Sequence, residues 1–347
     1  MRFYTGQHRH YCGIDLHVKT MYVCILDATG AVLVHRNMKA TPEAFLETVA
    51  SYRDDLVVAA ECMFTWYWLA DVCAAEGILF VLGHALMMKA IHGGKAKNDR
   101  IDSHKIASLL RGGVLPQAYV YPRVMRSTRD LLRRRLHLVR QRGALLAHIL
   151  NTRAQYQLPA FERRLASRAN RTGVASRFPD GSVRTSITVD LALIDQYDTV
   201  IRDLERTIVQ HAKCHDADAF HRLRSVPGIG TILALTILYE IHDIHRFSRV
   251  QEFASYARLV KGRHESAGKI VGSGGAKMGN VHLKWAFSEA AVLFVRHARG
   301  GKQILAQVAN VHGKGKALSI LAHKIGRAVF YMLSRGTVFS MGRFVAA

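Results

Sequence analysis

The chain has 347 residues, room for two domains and a connector rather than one core. Its hydrophobic content of 49% argues against general disorder, and no apolar run reaches the roughly 20 residues that span a bilayer. The formal net charge of +23 makes a surface that repels itself unless it meets a polyanion, and nucleic acid is the usual one.

The first residues, Met-Arg-Phe-Tyr-Thr-Gly-Gln-His, lack the apolar core of a secretory leader. Five cysteines (Cys12, Cys24, Cys62, Cys73, Cys214) are an odd number without a close pair. That pattern argues against disulfides and structural zinc and predicts reduced core residues in a cytoplasmic, nucleoid-associated protein. No pair among the nineteen histidines stands out as a helical metal site.

Apolar runs over His10–Asp27 and Ala31–Arg36 flank Asp27-Ala28-Thr29-Gly30, a hairpin signal, and a break at Val18–Thr20 makes three consecutive strands. Thr41-Pro42-Glu43 opens a helix with a cap, a proline at its first position and an acid in its first turn. A buried strand over Leu56–Ala60 ends at Glu61. A helix at Trp66–Glu76, a strand at Ile78–Leu82, a helix at Leu86–His92 and a helix from Asp99 or Asp102 to Leu110 follow. This order predicts an α/β RNase H-like domain over residues 9–120.

Residues 1–120 carry twelve Lys/Arg against eleven Asp/Glu, whereas residues 123–177 hold fourteen arginines, no lysine and only Asp130 and Glu162 as acids. Leu132, Leu136, Val139, Leu146 and Leu150 recur at helical spacing, and the stretch Ala169–Ser182 breaks the helix. A second periodic helix then runs through Ile187, Leu191, Ile194, Tyr197, Ile201, Leu204 and Ile208. Residues 121–215 therefore read as a helical hairpin or coiled-coil connector. Its arginines, Arg133, Arg134 and Arg135 among them, have few acids interleaved, which points to phosphate contacts. Residues 216–340 predict a mainly α rear domain. In it Ser225-Val226-Pro227-Gly228-Ile229-Gly230 precedes an apolar helix over Thr231–Ile241, a Gly/Lys-rich loop follows Glu265-Ser266, and helices return at Val281–Arg296 and Lys316–Ser334.

Four acids stand out by position. Asp15 lies in the first strand, Glu61 ends the fourth, and Asp99 and Asp102 share one side of a helix start. In an RNase H-like sheet the first and fourth strands are neighbours, so the four converge. Clustered carboxylates need a cation, and oxygen donors suit Mg²⁺ or Mn²⁺. A pair of such ions about 4 Å apart activates a nucleophile and stabilises the leaving oxygen of a phosphodiester. Taken singly, each acid reads as well as a strand-end turn or a helix cap. The Pro227–Gly230 turn reads either as a helix-hairpin-helix-like phosphate contact through Gly228 and Gly230 or as an ordinary helix start. Ser266 lies among Arg263, Lys269 and Lys277, and spacing alone leaves it a loop serine or a nucleophile.

With these residues in place the chain resembles the insertion-sequence transposases of the one-ten family, the DEDD transposases, over roughly Tyr11 to Thr337. The resemblance rests on Gly13-Ile14-Asp15, on Glu61 after an apolar strand, on Lys97-Asn98-Asp99-Arg100-Ile101-Asp102, on Pro227–Gly230, and on Glu265-Ser266 before a basic glycine loop. It implies that Asp15, Glu61, Asp99 and Asp102 form a RuvC-like metal-binding tetrad and that Ser266 is the nucleophile. It further implies cutting and rejoining of donor and target DNA through a serine–DNA link, a homo-oligomer (dimer or tetramer), and a structured guide RNA from the element. Family members often follow the glutamate with Thr-Gly, whereas here Glu61 runs into Cys62-Met63-Phe64-Thr65-Trp66. Ala267 stands where a glycine is expected, and Lys277 lacks a preceding serine. Two other readings compete: a junction-resolving nuclease that uses the tetrad and water, and an idle nucleic-acid-binding protein.

Overall fold

The computed structural model describes residues 2–91, 98–212, 216–266, 268–274 and 278–346, apart from the side chains at 263, 264, 270, 273, 274 and 314. The chain divides into two compact units, Met1–Val124 and Met125–Ala347. Among the described residues no helix is long and apolar enough to cross a membrane.

The first unit opens with β1 (Phe3–Tyr4), then β2 (His10–Leu16), β3 (Thr20–Asp27) and β4 (Val32–Lys39). Helix α1 (Pro42–Val49), strand β5 (Leu56–Glu61), helix α2 (Trp66–Ala75), strand β6 (Leu79–Gly83), helices α3 (Ala85–Ile91) and α4 (Asp99–Arg111), and strand β7 (Leu115–Pro116) follow. Five strands form one sheet in the order β4-β3-β2-β5-β6. β2, β3 and β4 are antiparallel, while β5 and β6 run parallel to β2. The hairpin turn is held by Asp27, whose carboxylate accepts from the backbone N–H groups of Thr29, Gly30 and Ala31. As predicted, Thr41 caps α1 by accepting from Ala44 N–H.

Strand periodicity sorts the sheet's residues between two cores. Cys12, Ile14, Leu16, Val58 and Ala60 pack with Phe45 and Val49 of α1 and Leu69 and Cys73 of α2. Tyr11, Val57 and Ala59 pack on the other face with Ile106, Ala107 and Leu110 of α4. Gly13 lies on that second face, and a Cβ there would stand 2.3 Å from Ala107 N and 2.4 Å from Ser103 O. The helix therefore lies directly on the strand, and only glycine allows it. Gly13→Ala is expected to cost about 3 kcal/mol through overpacking, read as a lower urea midpoint.

The second unit begins with the antiparallel pair α5 (Arg123–Gln155) and α6 (Gly181–Ala212), α5 starting two residues before the unit boundary. Their ion pairs run in opposite directions: Arg135–Glu205 at 2.6 Å, Arg142–Asp198 at 2.6 Å and His148–Asp190 at 2.5 Å. α5 ends well before the break expected at Ala169. Gln157 takes a left-handed φ of 50°, Pro159 follows, and Leu165, Val174 and Phe178 fold back onto Ile149, Ile187 and Ile194.

Beyond them come α7 (Ala217–Arg224), α8 (Thr231–Ile241), α9 (Val250–Tyr256), strands β8 (Gly262–Ser266) and β9 (Lys269–Gly274), and helices α10 (Val281–His297), α11 (Gly301–His312), α12 (Lys314–Arg335) and α13 (Met341–Ala346). The core is built around α8, buried from Leu233 to Ile241, with Phe253, Phe287, Phe294 and Ile325 against it. The expected Gly/Lys-rich loop is in fact an antiparallel hairpin in which Ser266 pairs with Lys269. α11 was not expected at all.

Glu240 of α8 is 1% exposed and sits among cations. Arg129 Nε and Arg133 Nε donate to it at 3.0 and 2.6 Å, and Asn280 Nδ2 at 2.7 Å. Burial pushes its carboxyl up, but the Arg133 hydrogen bond and the charges of Arg129 and Arg133 prevail and hold it at about 2. Because the folded value lies below the ordinary 4.5, the stabilisation is complete above that pH and is lost as pH falls from 4.5 towards 2. Glu240→Gln is expected to lose about 3 kcal/mol at neutral pH and to flatten that acid arm of the stability profile. Urea unfolding across the pH range checks both.

Candidate active site

Asp15 follows Gly13 at the next position on the face of β2 that α4 covers, and Glu61 follows Ala59 on the same face of β5. Ile14 is opposite Ala60, so the two acids occupy the next rung of adjacent parallel strands. Asp99 and Asp102 lie in the first turn of α4, whose start is fixed by Asn98: its side chain accepts from Ile101 N–H at 2.8 Å. The close seating of α4 on Gly13 thereby sets the helix start beside the strand end.

All four acids line one cavity of about 510 Å³, shared with His17, Val18, Met63, Phe64, Lys89 and Lys105. His17 Nε2 lies 3.5 Å from Asp15 Oδ2 and 3.4 Å from Asp99 Oδ2. Ligand atoms of Asp15, His17 and Asp99 lie within 4.8 Å of one another, close enough to hold a metal ion. Lys105 Nζ stands 3.5 Å from Asp102. Burial pushes the Asp15 carboxyl above its ordinary value; His17 opposes this, and the charges of Asp99 and Asp102 add to it. Four carboxylates gathered on one cavity offer the oxygen donors that a hard cation takes.

His17 was not singled out in the sequence. It follows Asp15 by two residues, and the turn after β2 (His17 N–H to Thr20 O, 2.9 Å) swings its ring back over the acids. An Asp-x-His pair at a strand end was the available signal.

Ser266 ends β8 in the second unit and is exposed, as are Lys269 beside it and Glu265 before it. Arg263 lies on β8 opposite Ser273. Lys277 lies outside the described residues, as do Lys97 of the Lys-x-Asp pattern and Cys214. The exit of the hairpin is tied back to the end of α9 and the residues just after it: Arg258 Nε donates to Gly279 O at 2.8 Å, and Asn280 N–H to Tyr256 O at 2.6 Å. Asn280 also reaches Glu240, so the buried ion cluster anchors the strand exit of this hairpin.

The arginine assignments need correction. Arg133 is committed to Glu240 and Arg135 to Glu205, leaving Arg134 exposed among the three. The neutralising acids come from α6 and α8, remote in sequence, which is why the local arginine excess suggested open phosphate sites. Gly228 is likewise used internally. Its φ is 89°, and a Cβ would stand 2.5 Å from Phe294 N of α10. Gly230 faces open space at the start of α8. Of the cysteines, Cys12, Cys24 and Cys73 are buried, but Cys62 is exposed in the segment after Glu61.

Residues 12–156 match the transposase model of the IS110 DEDD type, and residues 220–306 match the model described as transposase, IS116/IS110/IS902 family. The chain is 26% identical over 342 residues to the transposase for insertion sequence element IS1111A of Coxiella burnetii, covering 95% of this chain and 91% of that one. It is 26% identical over 144 residues to the transposase for IS1328 of Yersinia enterocolitica, covering 40% and 42%. The first match spans the strands and helix that carry Asp15, Glu61, Asp99 and Asp102, and implies an RNase H-like fold for the first unit. The second spans the turn before α8 and the β8–β9 hairpin. With acids and hairpin falling inside those two regions in this order, the chain belongs to the IS116/IS110/IS902 family of insertion-sequence transposases.

Proposed function

We propose that this transposase cuts and rejoins donor and target DNA through a covalent link to Ser266, with cleavage dependent on the carboxylates of the first unit. The observation that carries the proposal is the convergence of Asp15, Glu61, Asp99 and Asp102 on one cavity from β2, β5 and α4. Asp15, Glu61, Asp99 and Asp102 would hold Mg²⁺, or Mn²⁺, with His17 beside them. A cation there supplies charge stabilisation to a phosphodiester under attack. Lys105 and Lys89 line the same cavity and suit the phosphates on either side of the scissile one.

Ser266 of one copy's second unit acts on a phosphate held by the carboxylates, so the working enzyme is a homo-oligomer. Exposed Arg134 and Arg140 on α5 present positive charge to a polyanion. A structured RNA from the element's own non-coding end, pairing with donor and target DNA, is the polyanion that the family resemblance supplies. Lys269, and Arg263 from the same strand pair, neutralise the phosphate during attack. The test is to incubate the protein with Mg²⁺, RNA transcribed from the element's flank and end-labelled DNA spanning the element's end. Cleavage together with a protein–DNA adduct is expected. Cleavage without an adduct would leave a junction-resolving nuclease, and neither product in the presence of binding would leave an idle nucleic-acid-binding protein.

A further inference from the structure

We propose that Phe64, supported by Met63, is a base-stacking platform that positions the DNA strand at the carboxylate cavity. Phe64 is 77% exposed and Met63 50%, and both line the cavity that holds Asp15, Glu61, Asp99 and Asp102. Val18, 67% exposed, adds a third apolar group to the same rim. A large aromatic held in water beside four acids has no packing role, so its place at a polar cavity asks for a ligand with an apolar face.

The segment that carries it is held at three points. Cys62 N–H donates to Gly83 O at 2.9 Å, Met63 N–H to Glu61 O at 2.8 Å, and Thr65 Oγ1 to Leu16 O at 3.1 Å. The last bond ties the segment to the residue after Asp15, so the backbone that carries the ring is held beside the acids.

The proposal rests on the reading that DNA is cut at this cavity. A phosphate placed at the carboxylates, with Lys89 and Lys105 beside it, puts the attached nucleosides at the rim. Every base has a π-face, and an aromatic ring holds it without regard to sequence. A stacked base next to the scissile phosphate fixes the strand's direction and depth, which the carboxylates alone do not.

The test uses DNA spanning the element's end with 2-aminopurine placed, one position at a time, around the bond that the wild type cuts. Emission is expected to change on binding at one nucleotide adjacent to that bond. Phe64→Ala should abolish this change and weaken binding of the single-stranded form roughly tenfold, with an unaltered melting temperature. Phe64→Trp should restore both, and Phe64→Leu should restore neither fully. Unchanged emission and affinity in Phe64→Ala overturn the proposal. So does a shift in subunit number with DNA binding intact, since the rim would then be covered by a second copy. Asp15→Asn retains Phe64 and should keep the emission change while losing cleavage; normal cleavage by that variant sinks the carboxylate reading and leaves the stacking result to stand or fall by itself.

Discussion

Asp15→Asn is expected to lower DNA strand cleavage by about a thousandfold or more, since binding and polarising a cation at a phosphodiester is worth several kcal/mol. Its melting temperature should hold steady or rise. The sign follows from the site: burial and the like charges of Asp99 and Asp102 already push the Asp15 carboxyl up, so the ionised form is a net cost to the fold. An amide of the same shape removes that cost. Glu61→Gln, Asp99→Asn and Asp102→Asn should lose cleavage in the same way. For Asp99 and Asp102 a few tenths of a kcal/mol are lost with the acid at a helix start, roughly as for any first-turn carboxylate. Glu240→Gln makes the opposite control, with stability lost because its carboxylate holds the buried Arg129 guanidinium and the half-buried one of Arg133. Cleavage with Mg²⁺ run beside a thermal melt checks the contrast. Normal cleavage by Asp15→Asn or Asp102→Asn, or a fall in melting temperature as large as that of Glu240→Gln, would make these acids structural.

Strands β2 to β6, α1 and α8 were legible because local chemistry fixes them: Thr41 and Pro42 set one start, Asp27 and Gly30 one turn, and alternation the faces. The meeting of Asp15 with Glu61 was legible for the same reason, since period-two alternation on adjacent parallel strands leaves little choice of face. Gly13 carried information that the sequence alone did not disclose. It reads as one residue of Gly-Ile-Asp until the structure shows α4 resting on it. The partners of the arginines were hidden because Glu205 and Glu240 are 70 and 107 residues away from the arginines they accept from. The hairpin was hidden because Gly268, Gly272 and Gly274 lower strand propensity where cross-strand pairing, a tertiary matter, decides. The end of α5 at Gln155 was missed because the arginine-rich pattern continues past it, while Pro159 and the fold-back of Phe178 end the helix.

Ser266→Ala should abolish the covalent protein–DNA adduct and all recombinant product while leaving nucleic-acid binding intact. The proposed step balances as a transesterification. The Oγ–H proton leaves, Oγ bonds to phosphorus, the bond from phosphorus to one deoxyribose oxygen breaks, and that oxygen takes up a proton. Reversal with a different deoxyribose hydroxyl releases Ser266 and rejoins the strands. No phosphodiester is lost to water, which separates a recombinase from a nuclease. Serine is a poor nucleophile at neutral pH and needs its charge met as it forms. Its exposed place at the end of β8, across from Lys269 on a hairpin anchored through Asn280 to Glu240, presents the hydroxyl on a held element rather than a free loop. Removing one hydroxyl from an exposed strand end leaves the core untouched, so the melting temperature should not move. Denaturing electrophoresis with labelled DNA, followed by mass spectrometry of the linked peptide, reads the result. Ser273 is the instructive competitor: it lies across the same hairpin, paired with Arg263. An adduct that persists in Ser266→Ala, or a link mapped to Ser273 or to a tyrosine, would move the nucleophile. Wild-type cleavage with no adduct at all would assign the attack to water at the carboxylate cavity.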